Sequence, residues 1–213
     1  MDIAKRYNQK YFNWYKKIGE YGAIFNKSKF SKYIQKSDSV LDFGCGGGYL
    51  LDSLDCKSKY GVEINEVAIN EARKKFEIFK SSEDLPEEKF DVIISNQTFQ
   101  HCENPRKELL NLFKSLKKNG KIIIYVTCAG PKLKYDQNDI NFQLYSWSPM
   151  NLGHLLKSCN YEIVETKSIY HRWPPKYEII YKLFGLRIFN FISVCYGFIN
   201  RNKMSLCMAI GKK

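Results

Sequence analysis

Short apolar runs alternate with amphipathic stretches along most of the chain, and that alternation predicts the elements. Residues 39–43 (SVLDF) read as a buried strand, followed by a Gly-rich turn and a helix to about Leu54. Residues 59–64 form a second strand and 66–75 a second helix. A short third strand covers 76–80, and a fourth covers 90–95, with Val92, Ile93 and Ile94 in a row. Residues 105–118 read as a helix with Pro105 in its first turn and Asn119-Gly120 closing it, and 121–127 as a fifth strand. A polar, aromatic loop over 130–147 leads to a helix opened by Ser148-Pro149 and running to Ser158. Strands over 161–170 and 204–210 complete the set. Strands alternating with helices at this pitch predict a parallel sheet wound on both faces.

Two regions stand outside the alternation. Residues 1–36 are helical and aromatic, and Gly19, Gly22 and the Asn26-Lys27-Ser28 stretch divide them into two expected helices. Tyr11, Trp14 and Tyr15 there either cover a ligand or staple the segment to the sheet. Residues 176–200 read as an apolar helical insert with Arg187 and Asn190 embedded. Its uninterrupted apolar stretch is shorter than the roughly 20 residues that span a bilayer. It therefore packs over the site, forms a homodimer surface, or lies as a peripheral helix on acidic lipid.

Composition changes the picture at three points. The net charge is +12, but it is concentrated at the ends: 1–36 carry nine Lys/Arg against two acids, and 166–213 nine against one. Those ends either serve solubility or flank the site of an anionic acceptor. The seven cysteines are scattered, with no C-x-x-C pair, which predicts reduced thiols and no metal site. The N-terminal MDIAKRYN lacks the apolar stretch of a secretory signal, so a cytoplasmic protein is expected. At 213 residues the whole reads as one domain: a helical lid (1–36), a cofactor-binding core (37–128) and an acceptor-side half (129–213).

The chemistry is written most densely in Asp42-Phe43-Gly44-Cys45-Gly46-Gly47-Gly48. A strand running into glycines and then a helix lets a ligand approach free backbone N–H groups. The dinucleotide pattern G-x-G-x-x-G fails, because its third glycine position falls on Tyr49; the G-x-x-x-x-G-K-[ST] phosphate loop is absent too. Instead, an acid stands two residues before the first glycine, and Glu63 follows nineteen residues after it at the end of the second strand. A carboxylate in that place can accept both hydroxyls of a ribose.

These residues resemble motif I and the second-strand acid of the class I S-adenosylmethionine-dependent methyltransferases. The likeness continues through Ser81-Ser82-Glu83-Asp84 and Ser95-Asn96, with His101 and Pro105 at the spacing of the small-molecule branch. The resemblance implies a Rossmann-like, seven-stranded, mostly parallel sheet with an antiparallel last strand and the insert between strands six and seven. It further implies that Asp42, Gly44, Cys45 and Gly46 hold the methionine end of the cofactor. Glu63 and Ile64 would then hold the ribose, Ser82 and Glu83 border the adenine, and Asn96 and Gln97 lie under the transferred methyl. Ser81 stands where the family usually has Asp, and Gln143 where it often has His.

Methyl transfer needs alignment, plus a base where the acceptor must lose a proton. His101 either is that base or orients its loop, His171 beside Arg172 is a rim candidate, and His154, with Leu152, Leu155 and Leu156, reads as structural. Tyr11, Tyr145, Trp147 and Arg172 are the candidate acceptor contacts, although Tyr145 and Trp147 equally suit loop packing. The segments Tyr145-Ser146-Trp147-Ser148-Pro149 and His171-Arg172-Trp173-Pro174-Pro175 are similar to those of methyltransferases of bacterial surface-polysaccharide synthesis. The expected activity is methylation of an oxygen, or a nitrogen, of an anionic or sugar-containing small molecule. A nucleic-acid methyltransferase is the alternative, disfavoured because neither N-P-P-Y nor D-P-P-Y follows strand four. A cofactor-binding partner protein without turnover is the alternative of another class.

Overall fold

The computed structural model describes residues 8–213; residues 1–7, part of the expected lid, lie outside the described residues. Helix α1 (Gln9–Ser31) leads into β1 (Ser39–Phe43), α2 (Tyr49–Ser53), β2 (Ser58–Val62), α3 (Glu66–Ala72) and β3 (Glu77–Phe79). Then follow β4 (Phe90–Asn96), α4 (Pro105–Ser115), β5 (Leu116–Ala129), α5 (Pro149–Ser158), β6 (Glu162–Ile169), α6 (Tyr177–Ile199) and β7 (Met204–Lys212). The strands lie in the order β3-β2-β1-β4-β5-β7-β6. The pairs among β1 to β5 are parallel, and β7 runs antiparallel between β5 and β6. The expected seven-stranded sheet with an antiparallel last strand is thus the observed one.

The central strands are apolar on both sides because both sheet faces are covered. Leu41, Ile93, Ile122 and Ile124 pack with Leu109 and Leu112 of α4 on one face. Val40, Val92, Ile94 and Ile123 pack with Phe30 of α1 and Leu51 of α2 on the other. Side chains start the helices: Asn8 caps α1, Asn65 caps α3 and Asn104 caps α4. Ser148 and Asn151 form a reciprocal capping box on α5.

Three elements differ from the sequence reading. The N-terminal segment is one continuous helix, because Gly19 and Gly22 lie on its buried face and serve close packing instead of a break. Helix α4 stops at Ser115, since Leu116 is fully buried and pairs with Phe90; Asn119 then turns the chain at φ 66. Helix α6 is broken at Gly185 (φ 72, ψ 179) into two arms. A straight helix of this length would run about 34 Å. The break lets the insert return to the sheet edge it left, where Ile169 pairs with Leu206.

Candidate active site

The C-terminal ends of β1, β2, β4, β5 and β6 share one edge, where open α/β sheets bind ligands. At the end of β1 the loop needs its glycines: Gly44, Gly46 and Gly48 have φ of 80, 54 and 79. A Cβ on Gly44 would sit 2.2 Å from Thr98 Oγ1. The amides of Gly44 and Cys45 both donate to the Val62 carbonyl, at 2.8 and 3.1 Å. Glu63 then clamps the loop: Gly46 N donates to its Oε2 at 2.8 Å, and Ile64 N and Asn65 N donate to its Oε1 at 2.8 and 2.9 Å.

Asp42 is only 3% exposed, and its side chain makes no hydrogen bond or ion pair among the described residues. Burial, with the Glu63 charge adding to it, pushes the Asp42 carboxyl up to about 7. Burial also raises Glu63, opposed by its three backbone donors. The Cys45 thiol is pushed far up by burial and lies against Gly61, so it is a neutral packing group. Beside these acids, Asn96 holds a buried Oδ1 without a partner among the described residues. Two crowded carboxylates, an unpaired amide oxygen and glycine backbone fit the cationic, amino-acid end of S-adenosylmethionine. When bound, that cofactor supplies the activated methyl group.

Helix α1 closes this site. Tyr15 lies over Gly46, with 3.2 Å from its ring to an ideal Cβ there, and Gly19 would meet Tyr49 at 2.9 Å. Gly19, Gly22 and Asn26 face a partly open cavity of about 30 Å³ that reaches Asp42 and Asn96. That space holds no more than a water or two. Sequence reasoning missed these three lining residues, although their i, i+3, i+7 spacing marks one small-residue helix face. Burial, with the Glu63 and Asp139 charges adding to it, pushes the Tyr11 hydroxyl up to about 12.

The remaining expected residues divide. Ile64 is exposed at the rim beside Glu63. Gln97, at φ 63, accepts from Gln100 Nε2 (2.8 Å) and Thr127 Oγ1 (2.6 Å), which ties β4 to β5. Ser82 turns inward, donating to Glu108 Oε2 at 2.6 Å and accepting from Asn111, while Glu83 pairs with Lys107. Both side chains of the expected adenine border are thus engaged with α4. His101 is held under the loop after β5, whose Leu144 N and Tyr145 N donate to the Gln100 carbonyl. Burial lowers its pKa, against polar support from the Phe142 backbone, Asp139 and the Asn141 backbone.

Tyr145 is exposed and donates to the Glu103 carbonyl. Trp147, in contrast, is 7% exposed and belongs to the core, so it offers little surface to an acceptor. His154, expected among apolar neighbours, is exposed on the outer side of α5. His171 and Arg172 lie under α6: His171 Nε2 is 3.3 Å from Asn190 Oδ1, and Arg172 N donates to the Ser193 carbonyl. Burial, then the Lys29 charge, lowers His171 to about 4.

Raised Asp42 yields a signed prediction. Between its ordinary range and about 7 the native protein holds a proton that the unfolded chain has lost, so stability falls as pH rises through that window. Depressed His171 acts oppositely between about 4 and 6.5. The comparison is therefore with Asp42→Asn: the melting temperature of wild type relative to this variant should fall from pH 4 to 7. Cofactor at about 100 times Kd should add about 2.7 kcal/mol, or roughly 5–10 °C, to wild type. Differential scanning fluorimetry reads both, and parallel pH curves would remove Asp42 from the argument.

A methyltransferase-domain family model matches residues 15–166, and the chain belongs to that family. It is an S-adenosylmethionine-dependent methyltransferase. A relative in Rickettsia bellii, named ubiquinone biosynthesis O-methyltransferase, is 28% identical over 192 residues, covering 74% of this chain and 80% of the relative. Among solved structures, the [4+2]-cyclase SpnF superposes with a TM-score of 0.65 at 15% identity, covering 88% of this chain and 80% of that one. Phosphoethanolamine N-methyltransferase 2 of Haemonchus contortus, in complex with phosphomonomethylethanolamine and S-adenosylhomocysteine, gives 0.63 at 15% identity, covering 88% and 52%. These structures share the fold with this chain. The Rickettsia relative is named for ubiquinone biosynthesis, and the surface-polysaccharide association expected from the tail pattern is not among the likenesses found.

Proposed function

We propose that this enzyme transfers the methyl group to a hydroxyl oxygen of a small, anionic acceptor, with a hydroxylated aromatic ring as the first choice. The observation that carries oxygen as the target is the likeness to the Rickettsia O-methyltransferases, which extends over most of both chains. In the reaction the acceptor oxygen displaces the sulfonium sulfur at carbon, the hydroxyl proton passes to a base, and S-adenosylhomocysteine departs. His101 is the group we assign as that base. It is kept neutral by burial and stands beside the Asp139 loop that also neighbours Tyr11. Neutral imidazole is the form that accepts a proton.

An anionic acceptor is supported by cations that lack counter-ions. Lys29 is lowered to about 8 by burial, lies 5.3 Å from the Tyr125 ring centroid, and has no carboxylate partner among the described residues. Arg172 Nη1 is buried without a hydrogen bond among the described residues. Both flank His171, on the β6 side of the ligand edge. A carboxylate or phosphate on the acceptor would neutralise them. An acidic sugar satisfies the same two cations and is the second acceptor class to test.

The test is transfer of labelled methyl from S-adenosylmethionine to a panel of catechols, hydroxybenzoates, uronic acids, sugar phosphates and the matching amines. Transfer to a hydroxyl of an anionic member, at least tenfold faster than to its uncharged analogue, is the expected result. Transfer confined to amines would overturn the oxygen assignment, and indifference to charge would overturn the role of Lys29 and Arg172.

A further inference from the structure

Helix α6 uses only a narrow stripe to hold itself in the fold. Phe189, Ser193 and Gly197, four residues apart, face inward; Phe189 stacks on Phe25 of α1 at 3.9 Å between centroids, and Gly197 abuts the backbone at Tyr170 and His171. The opposite side is left to solvent. Leu183, Phe191 and Ile199 are 69%, 70% and 77% exposed, and Phe184 and Phe198 are exposed beside them. A contiguous apolar face of this kind marks an interaction surface.

Charge identifies the partner. Lys182 and Arg187 project from α6 into solvent, and Arg201 and Lys203 follow its end. The 130–134 loop joins them, because Gly130 N and Lys132 N donate to the carbonyls of Lys203 and Asn202. It adds exposed Lys132 and Lys134 together with Leu133 and the 92% exposed Tyr135. The one acid in α6, Glu178, is already paired with Lys17 at 2.7 Å. The result is an apolar strip with a basic rim, the composition of helices that lie in a bilayer interface. A second copy of the chain would bring the same basic rim against this one, which is repulsive.

Length and a mean hydropathy of 1.4 are enough for α6 to cross a membrane. The sheet forbids crossing, since the strands before and after the insert pair with each other and the helix is folded at Gly185. We propose that the outer face of α6 and its basic rim dock the enzyme onto an anionic lipid bilayer, with both helical arms lying in the plane of the interface. Because α6 leaves and re-enters the ligand edge, an acceptor held in that bilayer would be presented beside the site. Only this last consequence rests on the acceptor reading above; the docking surface does not.

Vesicle flotation of the full chain tests it, using phosphatidylcholine alone and phosphatidylcholine mixed with phosphatidylglycerol. Wild type should float with the anionic vesicles, weakly with the neutral ones, and less as salt is raised. Lys182→Glu with Arg187→Glu should lower the partition coefficient roughly 30-fold or more. Leu183→Glu with Phe191→Glu should abolish flotation. Unchanged cofactor affinity by calorimetry certifies the fold of each variant, and the charge pair still decides the matter if the apolar pair does not fold. Failure of wild type to float, or equal flotation of the charge variant, would overturn the proposal. So would a dimer in light scattering that Phe191→Glu dissolves while vesicles bind nothing. Flotation does not depend on methyl transfer, so a failed acceptor panel leaves this result standing.

Discussion

His101→Ala is expected to lower kcat by roughly 10²–10⁴-fold while KM for the cofactor stays within a few-fold, as loss of a positioned base does. The residue lies in the turn after β4, at the ligand edge, and burial keeps its ring neutral. In wild type, kcat/KM should rise through an apparent pKa below the usual histidine range and then level. In the variant the acceptor hydroxyl must ionise unaided, so the rate should climb with pH toward that hydroxyl's own pKa. Alkaline rescue separates proton transfer from loop positioning. A loss equal at every pH would assign His101 to holding the 139–145 loop and leave the base elsewhere.

Glu63→Ala is expected to weaken cofactor binding by roughly 10- to 150-fold and to lower stability in the same step. The carboxylate accepts three backbone amides, from Gly46, Ile64 and Asn65, and the truncation leaves all three without it. Lost charge-assisted hydrogen bonds of this kind cost about 2–3 kcal/mol, or roughly 4–12 °C of melting temperature for a domain of this size. Calorimetry against S-adenosylmethionine and S-adenosylhomocysteine gives the affinity, and scanning calorimetry the stability. An unchanged melting temperature with weakened binding would mean that water replaces the carboxylate on those amides. Unchanged affinity would remove Glu63 from the cofactor site.

Much of the sheet was legible because its strands are apolar on both faces. Val92-Ile93-Ile94 and Ile122-Ile123-Ile124 have no polar alternation, and only a two-sided core accommodates that. The Gly-rich loop was legible because left-handed φ values at three positions demand glycine. What misled was local chemistry settled by distant partners. Gly19 and Gly22 suggested breaks, yet both lie on the buried face of one helix, and the missing side chain of Gly19 makes room for Tyr49, far along the chain. Lys117 and Lys118 suit a helix end, but burial of Leu116 against β4 takes precedence. Ser82 and Glu83 were matched to the family by position, whereas their side chains are held by Glu108, Asn111 and Lys107 of α4. Periodicity cannot distinguish a buried Trp147 from an exposed Tyr145 two residues away on an irregular loop.

The packing of α1 on α6 has a consequence for how affinity is read. Tyr21 meets Tyr177 edge-on at 5.4 Å, Phe25 stacks on Phe189 at 3.9 Å, and Lys17 pairs with Glu178, so the two helices move most easily as one body. The same α1 carries Tyr15 over Gly46 and lines the small cavity at Asp42 and Asn96, so a shift of α1 changes the room there. If that shift gates entry, measured cofactor affinity would be the intrinsic affinity multiplied by the fraction of molecules that are open. Whatever draws α6 away from the domain surface would raise that fraction, and cofactor affinity measured with and without anionic vesicles would report it.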